Sequence, residues 1–556
     1  MSGDPIEPAM TSGGGVDAPI PSTGGQSGAV EEGSNIDRTF RSISRGTSVM
    51  IVATFAVVIL QFLTRALVTR HVSAAEWGEF NLGLALASFL ALVAAFGIPT
   101  AVARALAFEE TFAERMALVR KALYVSIPVA VASSVLVWYF APEIAAPFNG
   151  NLTDVFRLFA ISIAMTMLSN VLVGIFQGLE RAEPYAIFVQ ILNPALFLGL
   201  TSLFIFTGWG FNGVIWGYVL SWVGAFGALA VYSYFRLPPV LERLSGAQFT
   251  GDASGRVSFV ALSITLFGVT TLSYVTSYAD TLLLGVFRAP DLVGEYSSAM
   301  NLTRLLLVGT GTVTFIYLPI TSRLRRQRDY AGLRETYVTV SRWMALLTLP
   351  LTYLFFFDPR FSLALTFGPN QVGGAEALRI LVLVNTLAIL LGPSVSTLGG
   401  LGGTRQVLVF TLISAATNII LCVTLIPTYG LVGAAVAWSV ARFIFPAMAL
   451  VQIYREHGVT PFAPHFVRPA LLSTAVLVPI YYLLIPHPTY LWTPILLLLP
   501  FLVYAGSILV TRSVDRGDLH FVRAAEKRFG RVVRPFRLLL ESRVAVEMGR
   551  APPGPL

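Results

Sequence analysis

Cysteine, histidine and charge are scarce in this sequence. Cys422 is the single cysteine among 556 residues, which excludes an intramolecular disulfide. The five histidines lie outside the middle of the apolar segments and form no ligand-like cluster, so we expect no metal site and no cofactor. Charged residues make up only 12% of the chain, whereas about a quarter is usual in soluble domains. This shortage of charge excludes an ordinary soluble protein.

Long apolar segments are abundant instead. Hydrophobic residues make up 55% of the chain, and the mean hydropathy is +0.72. Since about 20 apolar residues cross the hydrocarbon core as a helix, the sequence predicts an all-α polytopic membrane protein. We predict about fourteen transmembrane helices, near residues 47–67, 80–103, 122–141, 155–177, 184–208, 211–235, 257–279, 294–320, 336–357, 376–397, 406–427, 430–453, 468–485 and 490–511.

Long loops are missing. The largest connection, a linker at 236–256, has no room for a soluble catalytic domain, which argues against a glycosyltransferase or a polymerase and so against an enzyme. Residues 1–46 are rich in Gly, Ser and Pro and predict a disordered tail. The basic tail at 512–556 alternates basic and apolar residues, which fits either an interfacial amphipathic helix or a solvated positive tail.

The basic residues are distributed unevenly between alternate loops. The loop at 321–335 carries five arginines, whereas the loop at 142–154 carries no lysine or arginine. Because basic loops stay in the cytoplasm, we expect both termini to be cytoplasmic in a cell membrane, as an even number of spans requires. The same rule explains the net charge of +8 without a nucleic-acid partner.

An internal repeat runs through the chain. Residues 77–80, Trp-Gly-Glu-Phe, match residues 293–296, Val-Gly-Glu-Tyr, and later glycines match as Gly210 with Gly430 and Gly213 with Gly433. Chance similarity among apolar helices is the alternative, but glycines that match in loops and in order argue against it. We therefore predict two six-helix bundles, at 47–235 and 257–455, followed by two extra helices within 456–511. An even number of spans in each copy makes the repeats parallel, related by an axis along the membrane normal.

This plan resembles that of the polysaccharide-biosynthesis flippases of the O-antigen type, which belong to the multidrug/oligosaccharidyl-lipid/polysaccharide exporter superfamily. The segments that carry the resemblance are 76–104, 176–185 and 429–442. The resemblance implies a flippase that moves a polyprenyl phosphate- or pyrophosphate-linked oligosaccharide from the cytoplasmic to the outer face by alternating access. These motifs are structural, so they indicate the family without specifying the glycan.

Arginines inside the predicted spans are the main candidates for binding such a lipid. Arg304 and Arg442 lie deep in their spans, where a charge is expensive and usually functional. A guanidinium binds phosphate oxygens through two parallel hydrogen bonds and keeps its charge. An arginine-lined cavity therefore suits an anionic headgroup better than a cationic drug.

Further candidates have equally good structural explanations. Arg65, like Arg157 and Arg379, lies nearer the end of its span, where its side chain could extend to the interface instead. Asp280, the clearest acidic candidate, could pair with one of these arginines. Polar residues that include Asn193 and Asn301 could line a sugar path, although interhelical hydrogen bonds are their commoner use.

A second function remains open at this point. An ion-coupled exporter of small molecules from the same superfamily would be favoured if acidic residues lined the cavity. No ATP site is visible in the sequence, so coupling to H+ or Na+ is one source of driving force. We expect the partners to be the lipid-linked oligosaccharide and the bilayer, and we expect the protein to act as a monomer.

Overall fold

The computed structural model describes residues 53–109, 111–150, 152–244, 256–462, 464–481 and 493–511. In these ranges the chain is helical and contains no β-strand. Nine helices of the described part are long and apolar enough to cross a membrane, and shorter apolar helices accompany them. The prediction of an all-α polytopic membrane protein is therefore confirmed. The predicted tails at 1–46 and 512–556 lie outside the described residues.

The first half of the chain, residues 53–244, is a series of helices that reverse direction at short turns. Their bounds are α1 Ala53–His71, α2 Ala74–Ala95, α3 Ile98–Phe108, α4 Phe112–Tyr139, α5 Ala141–Ala145, α6 Thr153–Gly178, a π-helix Tyr185–Leu192, α7 Asn193–Phe206 and α8 Gly210–Leu244. The entry into α2 is fixed by a capping box, in which Ser73 and Glu76 each bind the other's backbone amide.

The second half, residues 256–457, is also a series of helices joined by short turns, and two further helices follow it. The bounds are α9 Arg256–Phe287, α10 Pro290–Gln327, α11 Tyr330–Phe357, α12 Pro359–Phe367, a 3₁₀ turn Pro369–Gly374, α13 Ala375–Leu390, α14 Ser394–Gly400, α15 Thr404–His457, α16 Pro464–Pro479 and α17 Thr493–Val510. A helix therefore lies at each of the predicted spans.

Three boundaries differ from the prediction. The predicted span at 80–103 is two helices, because Phe96 and Gly97 both adopt positive φ angles, 36° and 72°, and break the chain between α2 and α3. Gly392, with φ 76°, and Pro393 likewise separate α13 from α14. The first part of the predicted linker is helical, since α8 continues to Leu244.

The two matched glycines have nearly the same positive φ angle. Gly210 has φ 54° at the start of α8, and Gly430 has φ 55° within α15. This left-handed region is costly for residues with a Cβ atom, so glycine is required at both turns. At Gly430 the conformation is non-helical and divides α15 into two parts, as the adjoining spans predicted at 406–427 and 430–453 require. The division of the chain into two repeats stays a prediction.

The two halves meet where α2 packs against α10 and α9. We call this contact the seam. A Cβ atom on Gly78 would collide with the carbonyl oxygen of Pro290, and one on Gly294 would collide with the carbonyl oxygen of Ala74. Because neither glycine has a side chain, the backbones of α2 and α10 approach each other directly. The glycines of the matched sequences at 77–80 and 293–296 are therefore in contact with one another.

Hydrogen bonds also join the halves, and several lie at one end of the seam. We call the end that carries Arg323, Arg325, Arg326 and Arg328 the basic end, and the other the far end. At the far end, Asn149 donates from its backbone amide to Gly285 O (3.2 Å) and from Nδ2 to Val286 O (2.9 Å). Arg70 donates to Leu365 O at the same end. These bonds hold the two halves together at the far end.

The last two helices pack on the second half through α11. The Tyr353 hydroxyl shares hydrogen bonds with Ser473 Oγ (2.9 Å) and Thr474 Oγ1 (2.8 Å) of α16. The Phe357 ring stacks on Tyr481, with ring centroids 4.6 Å apart. Helices α16 and α17 also contact each other, and both contact α11. They therefore extend the second half of the chain.

Candidate functional site

Two of the predicted arginines, one from each half, come together beside the seam. Arg65 of α1 and Arg304 of α10 are half-buried, and each lies within electrostatic reach of the other. The Arg304 guanidinium carbon lies 5.7 Å from the centroid of the Tyr278 ring on α9, which is a cation–π distance. The Arg65 side chain is oriented by a hydrogen bond of 3.3 Å from Nη2 to Gln61 Oε1. The sequence placed these arginines in separate spans, and the fold makes them neighbours.

Neither arginine has an ion-pair partner within 4 Å among the described residues. Two like charges held near each other in an apolar setting repel, and an anion between them would relieve that repulsion. Each guanidinium also carries more N–H donors than its contacts use. The pair can therefore bind an anionic group that presents several oxygens, such as a phosphate.

Asp280 of α9 lies near this pair and is completely buried. One of its carboxylate oxygens accepts a hydrogen bond from the Tyr296 hydroxyl, and the other, Oδ1, has no hydrogen-bond partner. Arg304 is close enough to act on the Asp280 charge, and so is the Cys422 thiol, from α15. The direct partner of Asp280 is Tyr296, and its predicted pairing with Arg65, Arg157 or Arg379 stays a prediction.

Arg442 lies apart from this group. Its side chain is exposed on α15, one residue after Ala441, whose carbonyl oxygen accepts a hydrogen bond from Ser414 (2.8 Å). No charged group among the described residues acts on Arg442 as Arg304 acts on Arg65. The structure therefore brings together Arg65 and Arg304 instead of Arg304 and Arg442, and a role for Arg442 stays a prediction.

The two predicted asparagines have different surroundings. Asn301 is buried on α10, three residues before Arg304 and so on the same side of the helix. Asn193, at the start of α7, donates from Nδ2 to the Ser221 hydroxyl of α8 (3.3 Å). That bond is the interhelical use of an asparagine, and no contact joins Asn193 to the arginine pair among the residues described.

Two arginines nearer the span ends have local partners. Arg157 lies 3.7 Å from Asp154 and over the Trp138 ring at 5.5 Å. Arg379 forms an ion pair of 2.9 Å with Glu376. Both arginines lie near helix ends and are partly exposed, as side chains that extend to an interface are. They differ in this respect from Arg65 and Arg304.

The sequence did not single out the tyrosines that surround the arginine pair. Tyr274 and Tyr278 of α9 stack on each other with ring centroids 4.5 Å apart, and the Tyr274 hydroxyl donates to Ala85 O across the seam (3.4 Å). Tyr218 of α8 approaches Tyr278 from the first half. Tyr274 and Tyr278 are four residues apart in an apolar span, which places both on one side of the helix. This spacing is the sequence feature that could have identified them.

Known proteins are similar to this chain in sequence, although the identity is low. The chain is 24% identical over 391 residues to the probable low-salt glycan biosynthesis flippase of Haloferax volcanii, which covers 69% of this chain and 77% of that protein.

Solved structures agree on the fold. The lipid II flippase MurJ, in an inward closed conformation, superposes with a TM-score of 0.65 at 17% identity, over 84% of this chain and 98% of that one. An inward-facing multidrug resistance transporter of the MATE family superposes with a TM-score of 0.54 at 15% identity, over 73% and 98%. The fold is therefore that of these membrane transporters.

The sequence also matches a defined protein family. Residues 43–325 match the family described as polysaccharide biosynthesis protein. The match starts before α1 and continues to the arginine-rich end of α10, so it includes both arginines of the pair and the whole seam. Because it spans half of the chain, this protein belongs to the polysaccharide biosynthesis protein family.

Proposed function

We propose that this protein is a flippase for a polyprenyl phosphate- or pyrophosphate-linked oligosaccharide, which it moves from the cytoplasmic to the outer face of the cell membrane. The observation that carries the proposal is the apposition of Arg65 and Arg304, from opposite halves, without an ion-pair partner within 4 Å among the described residues. Family membership and the flippase relative in Haloferax volcanii support it. The protein transports its substrate and does not transform it.

The substrate's phosphate is the group that the arginine pair suits. A phosphate offers oxygens on several sides, so one group can accept hydrogen bonds from both guanidiniums at once. Arginine keeps its charge in an apolar setting, where lysine loses its proton more readily. A cationic drug would be repelled by the same two charges. The lipid tail stays in the bilayer while the headgroup binds the arginine pair beside the seam.

Transport then requires the seam to open alternately at its two ends. The bonds of Asn149 and Arg70 across the seam, with the glycine contact between Gly78 and Gly294, hold the far end closed. With the basic end in the cytoplasm, as the arginines of 321–335 indicate, this state accepts substrate from the cytoplasmic side. Separation of the far-end contacts releases the substrate outward, and both termini remain cytoplasmic.

The moving units in this proposal are the two six-helix bundles at 47–235 and 257–455. The linker at 236–256 joins them, and the helices of 456–511 move with the second bundle, since α16 and α17 pack on α11. Each bundle supplies one arginine of the pair, so the site is completed within a single chain. The protein therefore acts as a monomer.

An ion-coupled exporter of small molecules is the second candidate. Asp280 favours it, because a buried carboxylate with one free oxygen is able to take up H+ or bind Na+. The same residue could couple an ion gradient to flippase activity. Substrate charge distinguishes the two functions: the arginine pair selects anions in the flippase, whereas a cation exporter would depend on Asp280 alone.

The test is a strain that lacks this protein, complemented with variants. Wild type is expected to restore surface glycan, and the double variant Arg65→Gln/Arg304→Gln is expected to leave lipid-linked oligosaccharide on the cytoplasmic face, where it is read in inside-out vesicles. Arg379→Gln is the matched control, because it removes an arginine that pairs locally with Glu376. Normal surface glycan in the deletion strain, with altered resistance to toxic cations, would move the assignment to the exporter.

A further inference from the structure

A group of hydroxyls lies at the seam beside the arginine pair, and the binding of phosphate does not account for it. Its members are Ser88 of α2, Tyr218 of α8, and Tyr274 and Tyr278 of α9. Both halves contribute, and each residue is half-buried. The Ser88 side chain lies close to the hydroxyls of Tyr218 and Tyr274, and Tyr278 lies close to both tyrosines. We call these four residues the hydroxyl cluster.

Aromatic packing fixes the position of the Tyr218 hydroxyl. The Tyr218 ring contacts three phenylalanines of the first half, Phe80, Phe159 and Phe197, at centroid distances of 5.7, 5.0 and 5.5 Å. With its ring held on three sides, Tyr218 presents the hydroxyl and little else toward the seam. The Tyr218 hydroxyl lies close to the side chains of Trp222 and Ser88, so it is part of a polar cluster within apolar spans.

The two tyrosines of α9 are held in a similar way. Tyr278 stacks on Tyr274 at 4.5 Å with an interplanar angle of 22°, and the Arg304 guanidinium lies 5.7 Å from the Tyr278 ring. Phe89 contacts Tyr274 at 6.2 Å. Protein groups therefore contact the ring faces, and the hydroxyls are the parts of these side chains that can contact a ligand.

The hydroxyls retain hydrogen-bonding capacity. The Tyr274 hydroxyl donates to Ala85 O over 3.4 Å, which is long for an O–H donor. Each hydroxyl is able to donate one hydrogen bond and accept two. Several half-buried hydroxyls that lie close together within the spans suit a ligand that carries many hydroxyls of its own.

We propose that the hydroxyl cluster binds the sugar attached directly to the phosphate of the substrate. The inference rests on the proposed function and adds a carbohydrate subsite to it. Its position follows from Arg304, which contacts Tyr278 and belongs to the phosphate-binding pair. Because the Arg304 guanidinium lies 5.7 Å from the Tyr278 ring, a sugar bonded to a phosphate held by Arg304 is placed beside the hydroxyl cluster.

The test compares two lipids with the full-length protein in nanodiscs. One lipid is the oligosaccharide-linked polyprenyl lipid extracted from a strain that lacks the protein, and the other is polyprenyl diphosphate without sugar. The variant is Tyr218→Phe/Tyr274→Phe/Tyr278→Phe, which removes hydroxyls and keeps every ring. Tyr353→Phe is the control, because its hydroxyl binds Ser473 and Thr474 far from the seam.

We expect wild type and Tyr353→Phe to bind the glycan-linked lipid more tightly than polyprenyl diphosphate. The triple variant is expected to bind polyprenyl diphosphate normally and to bind the glycan-linked lipid about tenfold or more weakly than wild type does, since it lacks three hydroxyls that bind the sugar. An unchanged affinity ratio in the triple variant, or equal wild-type affinity for both lipids, overturns the carbohydrate subsite and leaves the flippase in place. Failure of wild type to bind either lipid overturns both proposals.

Discussion

Gly78 of α2 and Gly294 of α10 pack backbone against backbone, and each glycine is a direct neighbour of the other. A Cβ on Gly78 would lie 3.0 Å from Gly294 N, and a Cβ on Gly294 would lie 3.1 Å from Gly78 N. The carbonyl groups that approach them belong to Pro290 and Ala74, each four residues earlier in its helix. A two-fold relation between the predicted repeats would produce this reciprocity, and the matched glycines form a close backbone contact at the far end of the seam.

The first prediction concerns this contact. Gly294→Ala is expected to force α2 and α10 apart and to lower stability by about 1 to 3 kcal/mol, the usual cost of overpacking. Gly227→Ala is the matched control: Gly227 lies within α8, where an added Cβ atom would meet no other atom within 4 Å, so alanine should be neutral or slightly stabilising there. Thermal unfolding in detergent checks both. Equal midpoints for the two variants would contradict the close packing.

The second prediction concerns closure at the far end. A disulfide between Asn149→Cys and Val286→Cys, made in a Cys422→Ser background, should join the halves where Asn149 Nδ2 now lies 2.9 Å from Val286 O. Because outward release requires this contact to open, oxidation is expected to stop transport and reduction to restore it. Each single-cysteine variant serves as a control. Full transport by the oxidised double variant would rule out opening at this end.

The third prediction concerns the buried carboxylate of Asp280. Tyr296→Phe removes its hydrogen bond and should destabilise the protein by about 1.5 to 3 kcal/mol, as expected for a bond to a charged group. In an Asp280→Asn background the same change should cost distinctly less. A double-mutant cycle of unfolding free energies measures the difference. Additive effects would show that Tyr296 does not support the Asp280 charge.

The fourth prediction concerns pH. Burial raises the pKa of Asp358, between α11 and α12, to about 6, and the charge of Arg379 only partly opposes this. Since the unfolded value is about 4, the folded protein holds this proton more tightly. The contribution to stability is present below about pH 4 and is lost as pH rises through about 6.

Asp358→Asn removes this dependence. The variant should be more stable than wild type near pH 8, by about 2 kcal/mol, and should differ little from it near pH 4. Unfolding midpoints across this range, measured in one detergent, provide the comparison. A wild-type advantage that grows with pH would mean that Asp358 is stabilised as a carboxylate.

Much of the fold was predictable because lipid imposes simple constraints. The helices follow the apolar segments, since a backbone in lipid must satisfy its own hydrogen bonds. The turns at Gly210 and Gly430 were visible as matched glycines in the sequence. The break at Phe96 was not, because a non-glycine residue in the left-handed region depends on the packing around it.

The site was predictable only in part, because it is formed by tertiary contacts between distant segments. Depth in the span identified Arg304 as a candidate, whereas Arg65 lies nearer the end of its span and could equally extend to the interface. Nothing in the sequence pairs α1 with α10. Arg442 has the same depth in the sequence and lies on an exposed part of α15 instead. Asn193 forms a hydrogen bond with Ser221. Sequence patterns do not distinguish an asparagine that joins two helices from one that lines a sugar path.

Transport by the purified protein tests the central claim most directly. Wild type is reconstituted in liposomes with the extracted lipid-linked oligosaccharide, and the fraction of glycan that reaches the other leaflet is followed with a membrane-impermeant glycosidase. We expect wild type and Arg379→Gln to accelerate this transfer, and Arg65→Gln/Arg304→Gln to slow it by about tenfold or more, as the loss of a charged binding pair requires. Equal rates for wild type and the double variant, or no acceleration by wild type, would contradict the account.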